Sequence, residues 1–120
     1  MTILLCLFVA EGLLLAALSL PLIARKVGPN AWYGFRVRRT LDNPNVWYPV
    51  NAFAGKLLLC LGLGTSVTAA LLYLVPGLRL ALYASLVAIL FALGLAVCLL
   101  LSFRYLAAVA RQQHGSDSTR

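Results

Sequence analysis

The sequence predicts an all-α membrane protein: one domain over residues 1–120, with three transmembrane helices and a structured interfacial loop between the first two. Hydrophobic residues make up 62% of the chain and charged residues only 11%, which leaves too little polar surface to cover a soluble globule. Three apolar runs, at about residues 3–24, 57–77 and 80–103, each have the roughly 20 residues that cross the hydrocarbon core. These two observations together predict the fold class.

Basic residues predict the orientation of the helices. With three spans, the loop at residues 25–56 and a polar tail at residues 104–120 share one side of the membrane, and they hold nine of the ten Lys and Arg residues. The other side holds only Arg79. Since basic residues collect on the cytoplasmic side, we predict an N-terminus outside and a cytoplasmic C-terminus. The net charge of +7 is then a topology signal, and no nucleic acid partner is predicted.

The first apolar run contains Glu11, the one ionisable residue well inside a predicted span. No basic residue precedes the run, so we interpret it as a retained helix and not as a cleaved signal peptide. An acid at this depth faces protein or water and not lipid. It either hydrogen-bonds between helices, takes part in proton or ligand binding, or lies close to the surface. Because Glu11 lies about 12 Å below the outer end of its helix, we expect it to hydrogen-bond with Thr68 or Tyr73.

The loop between the first two spans has an order that suits a membrane surface. A turn signal at residues 28–30 ends the first helix. Three aromatic residues and three arginines follow: Trp32, Tyr33, Phe35, Arg36, Arg38 and Arg39. The rings suit headgroup depth, where the arginines reach anionic lipid phosphates or an acidic partner. Anchoring and topology are the plainer explanation for most of this charge, whereas Arg36 is expected to bond within the loop.

The second half of the loop is predicted to be helical. Asn43 is a good N-cap and Pro44 suits the first helical position, so a helix is expected to begin here and enter the second span. Trp47, Asn51 and Gly55 then share one face, since they lie four residues apart. A second proline, at residue 49, is expected to kink this helix or to end a short interfacial one.

The second and third spans carry small residues that allow close helix packing. Glycines and hydroxyl residues are spread through the second span, and a tight turn at residues 75–77 predicts an antiparallel hairpin. Four alanines of the third span recur every four residues: Ala84, Ala88, Ala92 and Ala96. This seam is predicted to pack against a neighbouring helix, either of this chain or of a second copy. The tail at residues 111–120 is expected to be frayed.

No set of residues points to catalysis. The single histidine, His114, lies in the predicted tail, and the three acids are scattered along the chain. Asp42 is expected to be a turn or cap residue. The three cysteines lie inside apolar runs without metal-ligand spacing. We therefore predict that the protein is not an enzyme and holds no cofactor or metal.

The segment PNAWYGFRVRRTLDNPNVWYPVNAFAGK, residues 29–56, resembles the SdpI family of small bacterial membrane proteins. The resemblance rests on ten ordered positions: Asn30, Tyr33, Gly34, Phe35, Arg36, Arg39, Thr40, Trp47, Asn51 and Gly55. The chain departs from the family pattern at Val37, where members often carry Thr, and the flanking spans match in hydrophobicity alone. The resemblance implies a multi-pass protein of the bacterial inner membrane, and it makes the ten positions candidate binding residues.

The namesake of the family is an immunity protein that protects a producing cell from its own secreted peptide toxin. The resemblance therefore implies that this chain binds or senses a membrane-active peptide and confers toxin resistance. Two alternatives stay open: an accessory subunit of a larger membrane protein complex, and a homo-oligomer of another role.

Overall fold

The computed structural model describes residues 1–119, which form four helices and no strand. The helices are α1 (Thr2–Ile23), α2 (Arg38–Leu41), α3 (Pro44–Tyr73) and α4 (Leu80–Asp117). Three of them, α1, α3 and α4, are long and apolar enough to cross a membrane. The prediction of an all-helical fold with three spans is therefore confirmed. We call the end of the molecule that carries residues 24–43 the loop end, and the end that carries residues 74–79 the turn end.

The three long helices form an elongated bundle of 66 × 22 × 18 Å in which α3 lies between the other two. Most contacts of α1 and of α4 are made with α3. Near the turn end, α1 and α4 also meet, because Phe8 lies edge-on to Tyr83 with ring centroids 6.1 Å apart. Tyr83 is fully buried and donates a hydrogen bond to the Ala69 carbonyl oxygen at 3.2 Å.

Two glycines let α1 and α3 approach closely near the middle of the bundle. A Cβ atom on Gly12 would collide with the carbonyl oxygen of Gly62, and one on Gly62 would collide with the carbonyl oxygen of Gly12. Beside them, the hydroxyl of Ser66 lies 3.2 Å from the carbonyl oxygens of Val9 and of Gly62. Since lipid chains give helices no hydrophobic reason to associate, such close backbone packing is what holds the pair together.

The start of α3 agrees with the sequence prediction, whereas its continuity and its end differ from that prediction. Asn43 caps the helix, since its side-chain oxygen accepts a hydrogen bond from the Asn45 N–H at 2.9 Å, and Pro44 is the first helical residue. The helix then continues through Pro49, so the expectation that this proline ends a short interfacial helix is wrong. The helix ends at Tyr73, four residues before the predicted end of the second span.

The tail is helical, whereas the sequence predicts that it is frayed. α4 continues to Asp117, roughly four turns past the predicted end of the third span. The cause is a small apolar cluster at the loop end, in which Leu106 and Val109 of α4 pack against Val46 and Val50 of α3. Burial of these side chains stabilises helical turns that the polar composition alone does not. Residue 120 lies outside the described residues.

Candidate functional site

The ten motif residues lie at the loop end, and Asn51 is the centre of their hydrogen bonding. Asn51 is buried on α3, where its side-chain oxygen accepts a hydrogen bond from the Phe35 N–H at 2.5 Å. Its side-chain nitrogen donates to the Trp47 carbonyl oxygen at 3.0 Å. One amide side chain thus satisfies the loop backbone and the helix at once.

Gly34 is required where the loop crosses this asparagine. Its φ of +110° is a conformation that residues with a Cβ rarely adopt. A Cβ atom at this position would also lie 2.6 Å from the side-chain oxygen of Asn51. Phe35, the next residue, packs edge-on against Phe103 of α4 with ring centroids 5.0 Å apart. The loop is therefore held against both α3 and α4.

Trp47 fixes the beginning of the loop. Its side chain has no exposed surface, and its indole N–H donates to the Val27 carbonyl oxygen at 2.7 Å. Together with Asn51 and Gly55 it forms the buried face of the first turns of α3, as the four-residue spacing predicts. A backbone carbonyl of Ser19 and the side chains of α1 lie close to Gly55, so a larger residue there would separate the two helices.

Asn30 folds the aromatic segment into a turn. Its side-chain oxygen accepts hydrogen bonds from the N–H groups of Trp32 and Tyr33, at 2.9 and 2.7 Å. Its side-chain nitrogen donates to the carbonyl oxygens of Gly28 and Tyr33, at 2.8 and 3.1 Å. All the capacity of this amide is therefore used inside the loop.

Thr40 closes the other end of the segment. Its buried hydroxyl accepts a hydrogen bond from the Val37 N–H at 3.0 Å. The hydroxyl proton is directed between the carbonyl oxygens of Val37 and Phe35, at 2.8 and 3.0 Å. These bonds position the single turn of α2, which is too short to be stable alone.

The arginines lie outside this network. Arg36 donates to the Ala31 carbonyl oxygen, which agrees with the expectation that it bonds within the loop. Arg38 lies 3.7 Å from Asp42 in the single ion pair of residues 1–119, and both side chains are exposed, so the pair contributes little to stability. Arg39 is also exposed and reaches a cleft next to α4.

The loop end thus has an inner set of buried or half-buried residues and an outward loop surface formed by Trp32, Arg36, Arg38 and Arg39. Trp32 is 89% exposed, more than any other large apolar residue of the chain. Tyr33, beside it, is half-buried, and burial raises the pKa of its hydroxyl. That hydroxyl has no hydrogen-bond partner among the residues that the structure describes. The sequence groups Trp32 with Tyr33 and Phe35 as rings at headgroup depth, and it does not predict that Trp32 is exposed while the other two are half-buried.

The expected hydrogen bond of Glu11 with Thr68 or Tyr73 is wrong. Glu11 is exposed and forms no hydrogen bond within the described part of the chain, while the Tyr73 hydroxyl lies 3.0 Å from the Thr2 hydroxyl. The physical reason is helical geometry: Gly12 faces α3, and a residue one position away is rotated by about 100°. Glu11 therefore points to the outside of the bundle.

The extended part of α4 creates a cleft that the sequence did not predict. It has a volume of about 640 Å³ and lies between the α2–α3 junction and the last turns of α4. Its polar lining consists of Arg39, Asp42, Asn43, Arg111, Gln113, His114 and Asp117. Asn43 donates to the side-chain oxygen of Gln113 at 2.9 Å and so joins the two walls. In the sequence, the signal for the longer α4 was the i, i+4, i+7 spacing of Ser102, Leu106 and Val109, which places these residues on one helix face.

Three apolar helices with a structured loop at one end define a multi-pass membrane protein. The model of the SdpI/YfhL protein family matches residues 26–104, more than half of the chain, and the chain belongs to this family. The match covers the loop, α3 and the apolar part of α4, but neither α1 nor the extension of α4. Neither curated proteins nor solved structures give a match.

Proposed function

We propose that this member of the SdpI/YfhL family is an immunity-type protein of a bacterial inner membrane, which binds or senses a membrane-active peptide. Its N-terminus lies outside and the loop end lies in the cytoplasm, as the distribution of Lys and Arg favours. The observation that supports the proposal most is the exposure of Trp32 on a loop whose backbone is bonded from within by Asn30 and Asn51.

The outward loop surface has side chains that suit peptide binding. Tryptophan and arginine are the residues that most often dominate binding energy at interfaces. An arginine fork binds carbonyl oxygens and carboxylates, and it also binds the phosphates of anionic lipids. Because the loop is already ordered, a ligand loses little binding energy in ordering it. The proposed role is therefore binding.

A genetic test compares three forms in cells that lack the native gene and are challenged with a panel of membrane-active bacterial peptides. Wild-type protein restores growth, and Trp32→Ala does not, although it accumulates to the same level. Leu74→Ala is the matched control, because Leu74 is 74% exposed but lies at the turn end. Equal protection by Trp32→Ala and wild type would show that the outward loop surface is not the binding site.

The second candidate function is an accessory subunit of a larger membrane complex. It is favoured by the alanine seam of α4, where Ala88, Ala92 and Ala96 are exposed and no other helix of residues 1–119 covers them. Extraction in a mild detergent distinguishes the two functions. Co-migration with a large complex supports the subunit role, and a discrete small species supports the peptide-binding role.

A further inference from the structure

The unpartnered carboxyl group of Glu11 lies at the level of the bilayer core. The neighbouring residue, Gly12, contacts Gly62 of α3. At 1.5 Å per residue, Gly62 lies about 9 Å from Lys56 and about 16 Å from Tyr73, so this level is far from both ends of the span. A polar group there needs a partner, since hydrocarbon offers neither donors nor acceptors. The described chain supplies none.

The residues around Glu11 form an exposed face with a regular repeat. Leu7, Leu14 and Leu18 are all exposed, and with Glu11 they follow one another at intervals of four, three and four residues. Leu14 thus follows Leu7 by seven residues, and Leu18 follows Glu11 by seven, which is the repeat at which two helices pack along a common seam. A single polar residue within such a seam sets the register of the pair. We call these four residues the α1 seam.

We infer that the α1 seam is a self-association surface, on which two copies of this chain pair in parallel with their Glu11 carboxyl groups hydrogen-bonded to each other. A carboxyl group in its neutral form donates one hydrogen bond and accepts another, so two such groups satisfy each other. The pairing is isologous: each copy contributes the same face across a two-fold axis.

The membrane itself favours a second copy over an unrelated partner. Copies inserted in one orientation place each Glu11 at the same depth as its counterpart, without any further requirement. An unrelated protein would have to bring its own polar group to this level. The seam lies on the outside of the bundle, whereas Gly12, Ala16 and Ser19 occupy the face that packs on α3. The inference concerns α1, which the family match does not include, and it does not depend on the proposed peptide ligand.

Disulfide cross-linking of the full chain in lipid vesicles tests the geometry. The three native cysteines are first replaced by alanine: Cys6, Cys60 and Cys98. A single cysteine is then placed on the seam by Leu14→Cys, or off the seam by Leu13→Cys. These leucines are matched, at 61% and 51% exposed. On oxidation, Leu14→Cys forms a covalent dimer and Leu13→Cys stays monomeric. Equal cross-linking of both, or of neither, overturns the inference.

The role of Glu11 is tested by energy transfer between labelled copies at varied protein-to-lipid ratio. Glu11→Leu weakens association about tenfold, as expected for the loss of two interhelical hydrogen bonds. Glu11→Gln keeps it, because an amide also donates and accepts. Association unaffected by Glu11→Leu contradicts the inference. So does a membrane extract in which Leu14→Cys cross-links to a different protein in place of its own copy.

Discussion

The indole N–H of Trp47 donates to the carbonyl oxygen of Val27, 2.7 Å away and twenty residues earlier in the chain. The bond joins the first residues after α1 to the first turns of α3. Because Trp47 is fully buried, water cannot replace the bond if it is lost. The position of the loop against α3 therefore depends on this ring nitrogen and on the side chain of Asn51, which bonds to Phe35.

Trp47→Phe tests this dependence. Phenylalanine retains an aromatic ring but leaves the Val27 carbonyl oxygen without its donor, which costs about 1–3 kcal/mol for a buried group. We expect a lower midpoint of thermal unfolding in detergent, followed by circular dichroism. Trp32→Phe is the control, since that side chain is exposed. Equal midpoints for the two variants would contradict the buried bond.

Gly34→Ala tests the crossing of the loop over Asn51. The added methyl group must occupy a backbone conformation that costs about 1–3 kcal/mol, and it also presses on the side-chain oxygen of Asn51. We expect reduced accumulation in the membrane and faster proteolysis of the loop. Gly64→Ala is the matched change, because a Cβ atom there meets nothing within 4 Å. Proteolysis of the loop at the wild-type rate in Gly34→Ala would refute the prediction.

Thr40→Val tests the closure of the loop at α2. Valine has nearly the same shape but cannot accept from the Val37 N–H, and a buried unpaired group costs about 1–3 kcal/mol. We expect faster hydrogen exchange of the amides of α2 and the preceding residues. Thr40→Ser, which keeps the hydroxyl, should restore slow exchange. Slow exchange in Thr40→Val would contradict the prediction.

Leu106→Ala tests whether the end of α4 is packed. Leu106 is 4% exposed within the loop-end cluster, so its truncation should lower the free energy of unfolding by about 2–5 kcal/mol. Thermal unfolding provides the measurement. Leu100→Ala is the control, because that side chain is 59% exposed. A frayed tail would make Leu106→Ala as harmless as the control.

The two tryptophans provide a spectroscopic test of the loop. Iodide in solution should quench the fluorescence of Trp32 and spare that of Trp47, since one side chain is exposed and the other is fully buried. We therefore expect a quenching curve with an accessible and a protected component. In Trp32→Phe the accessible component should vanish. Its persistence would mean that Trp47 is not enclosed.

Local rules predicted much of the loop end. Asn43 and Pro44 marked the start of α3, and the spacing of Trp47 and Asn51 showed that they share one face, because capping and helical periodicity depend on neighbours in the chain. The hydrogen bonds of Asn51 to Phe35 could not be predicted. They depend on how the loop packs against a helical residue sixteen positions further along the chain, which is a tertiary property.

The errors have the same origin. A polar stretch such as that around Arg111 is expected to fray when it is considered alone, and only contact of Leu106 with α3 keeps it helical. For Glu11, depth was estimated from residue counts, but the direction of its side chain depends on which face of α1 the glycine contact selects. A residue count gives the depth of a side chain in the membrane, but it does not give the direction in which the side chain points around the helix axis.

The length of α4 has a mechanical consequence. At 1.5 Å per residue, its 38 residues extend about 57 Å, against about 30 Å of hydrocarbon. About half of the helix therefore stands beyond the bilayer core, and no break separates the two halves. α4 therefore behaves as one continuous rod, with about half of its length in the lipid. Since Leu106 and Val109 pack the last turns of α4 against α3 and Asn43 bonds to Gln113, a change in membrane thickness that tilts α4 also tilts α3, and both walls of the polar cleft move together.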